Sequence, residues 1–197
     1  MKIKFKILCI GITLIGAAAT GNAQGLLTFD DLTAGPPLPN GYGGLNWQNF
    51  GVEDGLAMPA TYGYHTGMIS PSNVAFNRLG QPASITVSGG LFDLDSAYLT
   101  AALNFDTPLD IEVQGFVGTT LLYDNTYIVN RSAPSLINFD YVGVNKVTFI
   151  SSPAQEFAMD NLTFAVPEPS TYALVSVATV LGGFHVWRKK IKNCGHR

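Results

Sequence analysis

Hard oxygen donors are the commonest chemically useful groups in this sequence. Asp30 and Asp31 stand near its start in Phe29-Asp30-Asp31-Leu32, and Asp160 and Asn161 near its end in Met159-Asp160-Asn161-Leu162. Calcium takes carboxylate and amide oxygens, several around one ion. These four residues are therefore candidate calcium ligands, provided the fold makes neighbours of the first and last strands. No EF-hand spacing accompanies them, and capping a turn in water is their competing role.

A second set is aromatic. Tyr42, Tyr62, Tyr64 and His65 lie in a stretch crowded with Gly and Pro. Ring faces stack on the CH surfaces of sugars while amides and carboxylates bond the hydroxyls, so these four are candidate ligand-binding residues. Trp47 shares the stretch, but large aromatics usually fill cores, and the core is its expected place.

Catalysis is poorly served. His65 is the only histidine between residues 24 and 166, and there is no Gly-x-Ser-x-Gly, His-Glu-x-x-His or phosphate-binding Gly loop. Cys9 and Cys194 are the only cysteines, one near each end, which leaves no thiolate site or disulfide between them. Asp93 and Asp95, two apart on one strand face, could serve a glycosidase, though acids near turns often have this spacing. The expectation is a protein that is not an enzyme, with a small secreted glycan hydrolase or lyase, or a ligand-free structural matrix protein, as the alternatives.

Charge narrows the partners. The whole chain carries −3, but residues 24–166 hold only Arg78, Arg131 and Lys146 against 13 acids. Such a surface repels nucleic acid phosphate. It is compatible with divalent cations and with neutral polymers such as exopolysaccharide.

The elements that must position these groups read as strands. Short runs rich in Val, Ile, Phe, Tyr and Thr recur with turn residues roughly every ten positions. They fall at Leu26–Asp30, Leu45–Val52, Val74–Arg78, Ala83–Ser88, Leu91–Asn104, Leu109–Val117, Thr120–Asn130, Ser135–Tyr141, Lys146–Ser151 and Phe157–Phe164. Leu109, Ile111 and Val113 alternate cleanly with Asp110, Glu112 and Gln114. The fold class expected is all-β, an antiparallel β-sandwich of jelly-roll type over residues 24–165, with a closed barrel second. Thr33–Met68 is expected to make long loops over one end or face, where binding tends to reside.

Both ends look like targeting segments. Lys2, Lys4 and Lys6, the apolar Ile7–Ala19, and small residues at Gly21 and Ala23 form a signal peptide over residues 1–23, with cleavage expected before Gln24. Such a segment implies the Sec translocon and signal peptidase as partners. At the other end, Val166-Pro167-Glu168-Pro169-Ser170-Thr171 precedes an uncharged run, Tyr172–Trp187, and then Arg188-Lys189-Lys190-Ile191-Lys192. Both prolines fix φ and lack a donor, so the motif is expected to be extended and unable to continue a sheet. The run reads as a short membrane helix over 172–187 with a positive stop, followed by a cytoplasmic tail at 193–197.

This C-terminal arrangement resembles the PEP-CTERM sorting signal of Gram-negative bacteria. The matching residues are Val166, Pro167, Glu168, Pro169 and Ser170, then the helix, then the basic residues. The resemblance implies processing near the motif by exosortase, a membrane protease, after a transient inner-membrane stay. The destination it implies is the cell envelope surface or extracellular matrix. Phe29-Asp30-Asp31-Leu32, Gly41-Tyr42-Gly43-Gly44-Leu45-Asn46-Trp47, Phe92-Asp93-Leu94 and Phe157-Ala158-Met159-Asp160-Asn161-Leu162 look like exported galactose-binding-like jelly rolls. That likeness implies adhesion or carbohydrate binding.

Overall fold

The computed structural model describes residues 22–103 and 108–167. Residues 1–21 of the expected signal peptide, the expected sorting motif from Glu168 onward, the expected helix over 172–187 and the expected tail at 193–197 lie outside the described residues. Eleven strands follow one another: β1 (Asn22–Leu27), β2 (Asn46–Gln48), β3 (Phe50–Asp54), β4 (Asn73–Asn77), β5 (Ala83–Thr86), β6 (Phe92–Ala101), β7 (Leu109–Val117), β8 (Thr120–Val129), β9 (Ser135–Val144), β10 (Lys146–Ser152) and β11 (Phe157–Pro167). One short helix, α1 (Gly63–Thr66), lies between β3 and β4.

Period-two alternation makes this a sandwich. Leu109, Ile111 and Val113 are buried while Asp110, Glu112 and Gln114 face outward, which is the pattern of a strand wet on one side. Sheet A has the order β3-β4-β11-β6-β9, with β1 also paired to β11; sheet B has the order β2-β5-β10-β7-β8. Every named pairing is antiparallel. The two inner faces close over one core of Leu, Ile, Val and Phe side chains. An aromatic file crosses it from Phe29 to Trp47 (5.9 Å), Phe50 (5.3 Å), Phe149 (5.9 Å) and Phe139 (6.0 Å), each contact edge-to-face.

Three departures from the sequence reading have physical causes. The run Leu45–Val52 is two strands in different sheets. Asn49 sits between them at φ 59°, and its Nδ2 donates to the carbonyls of Arg78, Gln81 and Pro82 at 3.2, 3.3 and 3.2 Å. Asn accepts the left-handed conformation when such bonds are at hand, so the chain turns out of sheet B into sheet A. The first strand also lies earlier than expected, because Phe29 takes φ 63° and ends the extended run. Finally, Val166 and Pro167 do continue a sheet: they face Ala23 and Asn22 of β1. Proline is tolerated at a strand end, where one missing donor breaks little of the ladder.

The Thr33–Met68 stretch serves two purposes. Gly35 N donates to Val52 O (2.8 Å) and Leu38 N to Phe50 O (2.9 Å), so a proline-rich strap closes the free edge of β3. Sheet edges left open invite pairing with other chains. Residues 55–72, including α1, cover part of the outer face of sheet A and build a second apolar cluster from Tyr64, Val74, Ala102 and Ala158. Gly63 fits because an added Cβ would stand 1.9 Å from Ala101 O.

Candidate functional site

β1 and β11 are neighbours, as the calcium expectation required. The four candidate ligands nevertheless have separate duties. Asp31 is exposed and accepts the Tyr42 hydroxyl at 2.7 Å. Asp30 Oδ1 accepts Asn73 N at 2.9 Å. Asp160 is fully buried, and its carboxylate accepts Ile69 N (2.6 Å), Ser70 N (3.0 Å), Asn161 N (2.6 Å) and the Ser70 hydroxyl (3.3 Å). Asn161 Oδ1 also accepts the Ser70 hydroxyl, at 3.1 Å. These are N–H and O–H donors aimed at the oxygens a cation would need. Among the described residues no three His, Cys, Asp or Glu come together, and the arrangement fills the Asp160 oxygens with N–H and O–H donors. It fits a clamp, in which Asp160 and Asp30 hold the segment 69–73 against sheet A. Burial raises the Asp160 pKa, and the donors from Ile69, Ser70 and Asn161 pull it back.

The aromatic candidates are also committed to structure. Tyr64 is 3% exposed, packs edge-on against Phe76 at 5.6 Å and donates its hydroxyl to Glu156. Burial, with the Glu156 bond and charge, raises its pKa far above the tyrosine range. It offers a ligand no ring face. His65 Nδ1 donates to Gly55 O at 2.9 Å and pins the loop. Tyr62 is half-buried on the second cluster. Tyr42 leans on Phe29 and Trp47 and bonds Asp31. Trp47 is in the core at 6% exposure, its Nε1 donating to Tyr42 O at 3.0 Å. The loop region therefore braces the sandwich, and Tyr64 in particular is a core residue. Asp93 and Asp95 lie on β6. Asp93 accepts Gly143 N at 2.8 Å, and Asp95 accepts the Gln24 side-chain amide at 3.4 Å. Burial raises the Asp95 pKa; the Gln24 bond opposes this, and the charges of Asp93 and Asp140 add to it.

A second set of polar residues lies on the outer face of sheet B. The described helix α1 packs on β3, β6 and β11, all in sheet A. Strand register sets the outward residues of sheet B in rows. Gln48, Ser84, Thr148, Gln114 and Asp124 are opposite one another across all five strands; Gln48 and Asp124 are exposed, Thr148 and Gln114 half-buried, and Ser84 is buried at 5% exposure. Beside them runs Asn46, Thr86, Lys146, Phe116 and Leu121. Strands about 4.8 Å apart make each row about 19 Å long. Within the polar row the Ser84 hydroxyl donates to Gln48 Oε1 at 3.2 Å, and Gln114 Nε2 donates to Glu112 Oε1 in the adjoining row. A register shift after Gly115 sets both Leu121 and Leu122 beside Phe116. The two leucines are 44% and 50% exposed, and Lys146 Nζ stands 5.8 Å from the Phe116 ring centre.

No sequence motif marks this face, because its residues are spread from Asn46 to Thr148 and only topology gathers them. The clean alternation of Leu109–Val117 was its one local trace. A smaller apolar hollow of about 220 Å³ lies under the strap, lined by Leu32, Thr33, Pro36, Pro37, Pro39 and Val52.

No family model matches this chain, and no curated protein does. Solved structures give weak likenesses. The chain is similar to the family 32 carbohydrate-binding module of C. perfringens NanJ, solved with galactose. The TM-score is 0.36 at 8% identity, over 64% of this chain and 96% of that one. It is similar to TmCBM61, solved with β-1,4-galactotriose, at TM-score 0.34 and 10% identity over 66% and 95% of the chains. A third is Clostridium thermocellum xylanase 10B (CBM22-1 and GH10 modules with xylohexaose), at TM-score 0.35 and 10% identity. There the match spans 66% of this chain and 27% of that one. The sandwich rests on the strand pairing described above, and the sugars belong to those proteins.

Proposed function

We propose that this chain is an exported, non-catalytic glycan-binding domain that holds exopolysaccharide on the outer face of sheet B. The observation that carries the reading is the row Gln48, Thr148, Gln114 and Asp124 on the outward face of sheet B, with Ser84 buried between Gln48 and Thr148 and bonded to Gln48. Amides, a hydroxyl and a carboxylate at strand spacing match a polymer that presents hydroxyls at each sugar unit. Phe116, Leu121 and Leu122 supply an apolar corner for the CH face of a pyranose. The acidic balance of the domain favours a neutral glycan over an anionic one.

In this reading the chain leaves the cytoplasm through its N-terminal segment. A PEP-CTERM-like signal, Val166-Pro167-Glu168-Pro169-Ser170 with the following helix, then delivers it to the envelope surface or matrix, where exosortase is the processing partner. Affinity electrophoresis through exopolysaccharide gels is the test. Retardation with no release of reducing ends supports a binding domain. Release of reducing ends that disappears in Asp95→Asn supports instead a hydrolase built on β6, where the raised Asp95 carboxyl would be the acid.

A further inference from the structure

The two ends of the domain meet across one sheet. β11 has β6 on one edge and, in turn, β4 and β1 on the other. The β6 pairing stops at Ala165 opposite Asp93. Beyond it, Val166 and Pro167 have one strand partner among the described residues, Ala23 and Asn22 of β1. The expected signal-peptide cleavage falls between Ala23 and Gln24, and Gln24 is opposite Ala165. Cutting there takes away the partners of Val166 and Pro167 and spares the rest of β1. Both edges of β11 would then end flush at Ala165.

We infer that residues 22–23 shield Val166 and Pro167, and that N-terminal cleavage releases these two residues for C-terminal processing. Proteolytic sites take up substrate backbone that is extended and free to form new pairs. A backbone already paired in a sheet must open first. While the N-terminal segment is attached, Val166 and Pro167 are paired and extended. Once it is gone they are extended and free, the state a protease needs. Strand ends open more readily than strand centres, so the shield slows processing rather than forbidding it; a slowing of about tenfold corresponds to one weak terminal pairing. The order is thus built into the fold: signal first, tail second. This rests on the sorting reading above.

The experiment is a pulse-chase of the full chain in a host that processes it, with mass spectrometry of both ends. Ala23→Leu removes the small residue that signal peptidase requires and keeps a residue that pairs well in a strand. Ala23→Pro also blocks that cleavage, but proline disrupts the ladder. The wild type is expected to lose its signal before its tail. Ala23→Leu is expected to retain its signal and to lose its tail about tenfold more slowly. Ala23→Pro is expected to retain its signal yet lose its tail near the wild-type rate. Tail loss from Ala23→Leu at the wild-type rate overturns the shielding, as does an Ala23→Pro chain that keeps its tail. A wild-type chain that never loses its tail overturns the sorting reading, and this ordering with it.

Discussion

Replacing Asp160 with alanine removes the acceptor on which the 69–73 segment depends. Ile69 N, Ser70 N and Asn161 N all bond this carboxylate, and its residue is fully buried. A buried donor left without a partner costs about 1–3 kcal/mol. Water can reach part of the vacated space, so a total of about 3–5 kcal/mol is expected, a large share of the 5–15 kcal/mol or so that holds a typical domain together. For a domain of this size about 1 kcal/mol moves Tm by roughly 2–4 °C, so a fall on the order of 10 °C is expected. Thermal unfolding followed by circular dichroism reads it, and limited proteolysis locates the first opening between Gly55 and Ser72. Calcium and chelator are expected to leave both proteins' Tm unchanged, because the carboxylate is occupied by donors. An Asp160→Ala chain that melts like wild type, or a wild-type Tm that climbs with calcium, refutes the clamp.

Further outcomes follow from the same geometry. Gly63→Ala places a methyl 1.9 Å from Ala101 O; α1 must lift from sheet A, and a Tm drop of several degrees with faster nicking near Tyr62 is expected. Phe116→Ala removes the ring from the apolar corner of sheet B and is expected to weaken glycan retention about tenfold while leaving the fold intact by circular dichroism. Asp95 and Asp160 both have raised folded-state pKa values. The folded state therefore binds protons more tightly than the unfolded state. Their contribution is greatest below the ordinary carboxylate pKa and is lost as pH climbs through the raised folded values. Denaturant titrations of Asp95→Asn are expected to show a weaker decline across that window than wild type; an identical profile contradicts it.

The sandwich was legible because its strands alternate. Lys146–Ser152 and Leu109–Val117 announce a buried and a wet face residue by residue. The split at Asn49 was not legible, because the left-handed turn there depends on carbonyls some thirty residues away. The burial of Tyr64 was hidden for a related reason. Tyr64 follows a glycine in a loop-like stretch, yet that glycine lets the chain lie flat on Ala101 and buries the tyrosine. The row on sheet B needed strand order, which no local pattern encodes. Pairing of the first and last strands was expected, and it holds. Its reach to Val166 and Pro167 was not, because proline argued against it.

Mapping a bound glycan onto the surface tests the account most directly. Backbone amide shifts recorded during titration with exopolysaccharide fragments are expected to concentrate at Gln48, Ser84, Gln114, Asp124 and Thr148. Shifts that gather instead around Tyr62 and His65, or a spectrum that does not respond to any glycan, would contradict it.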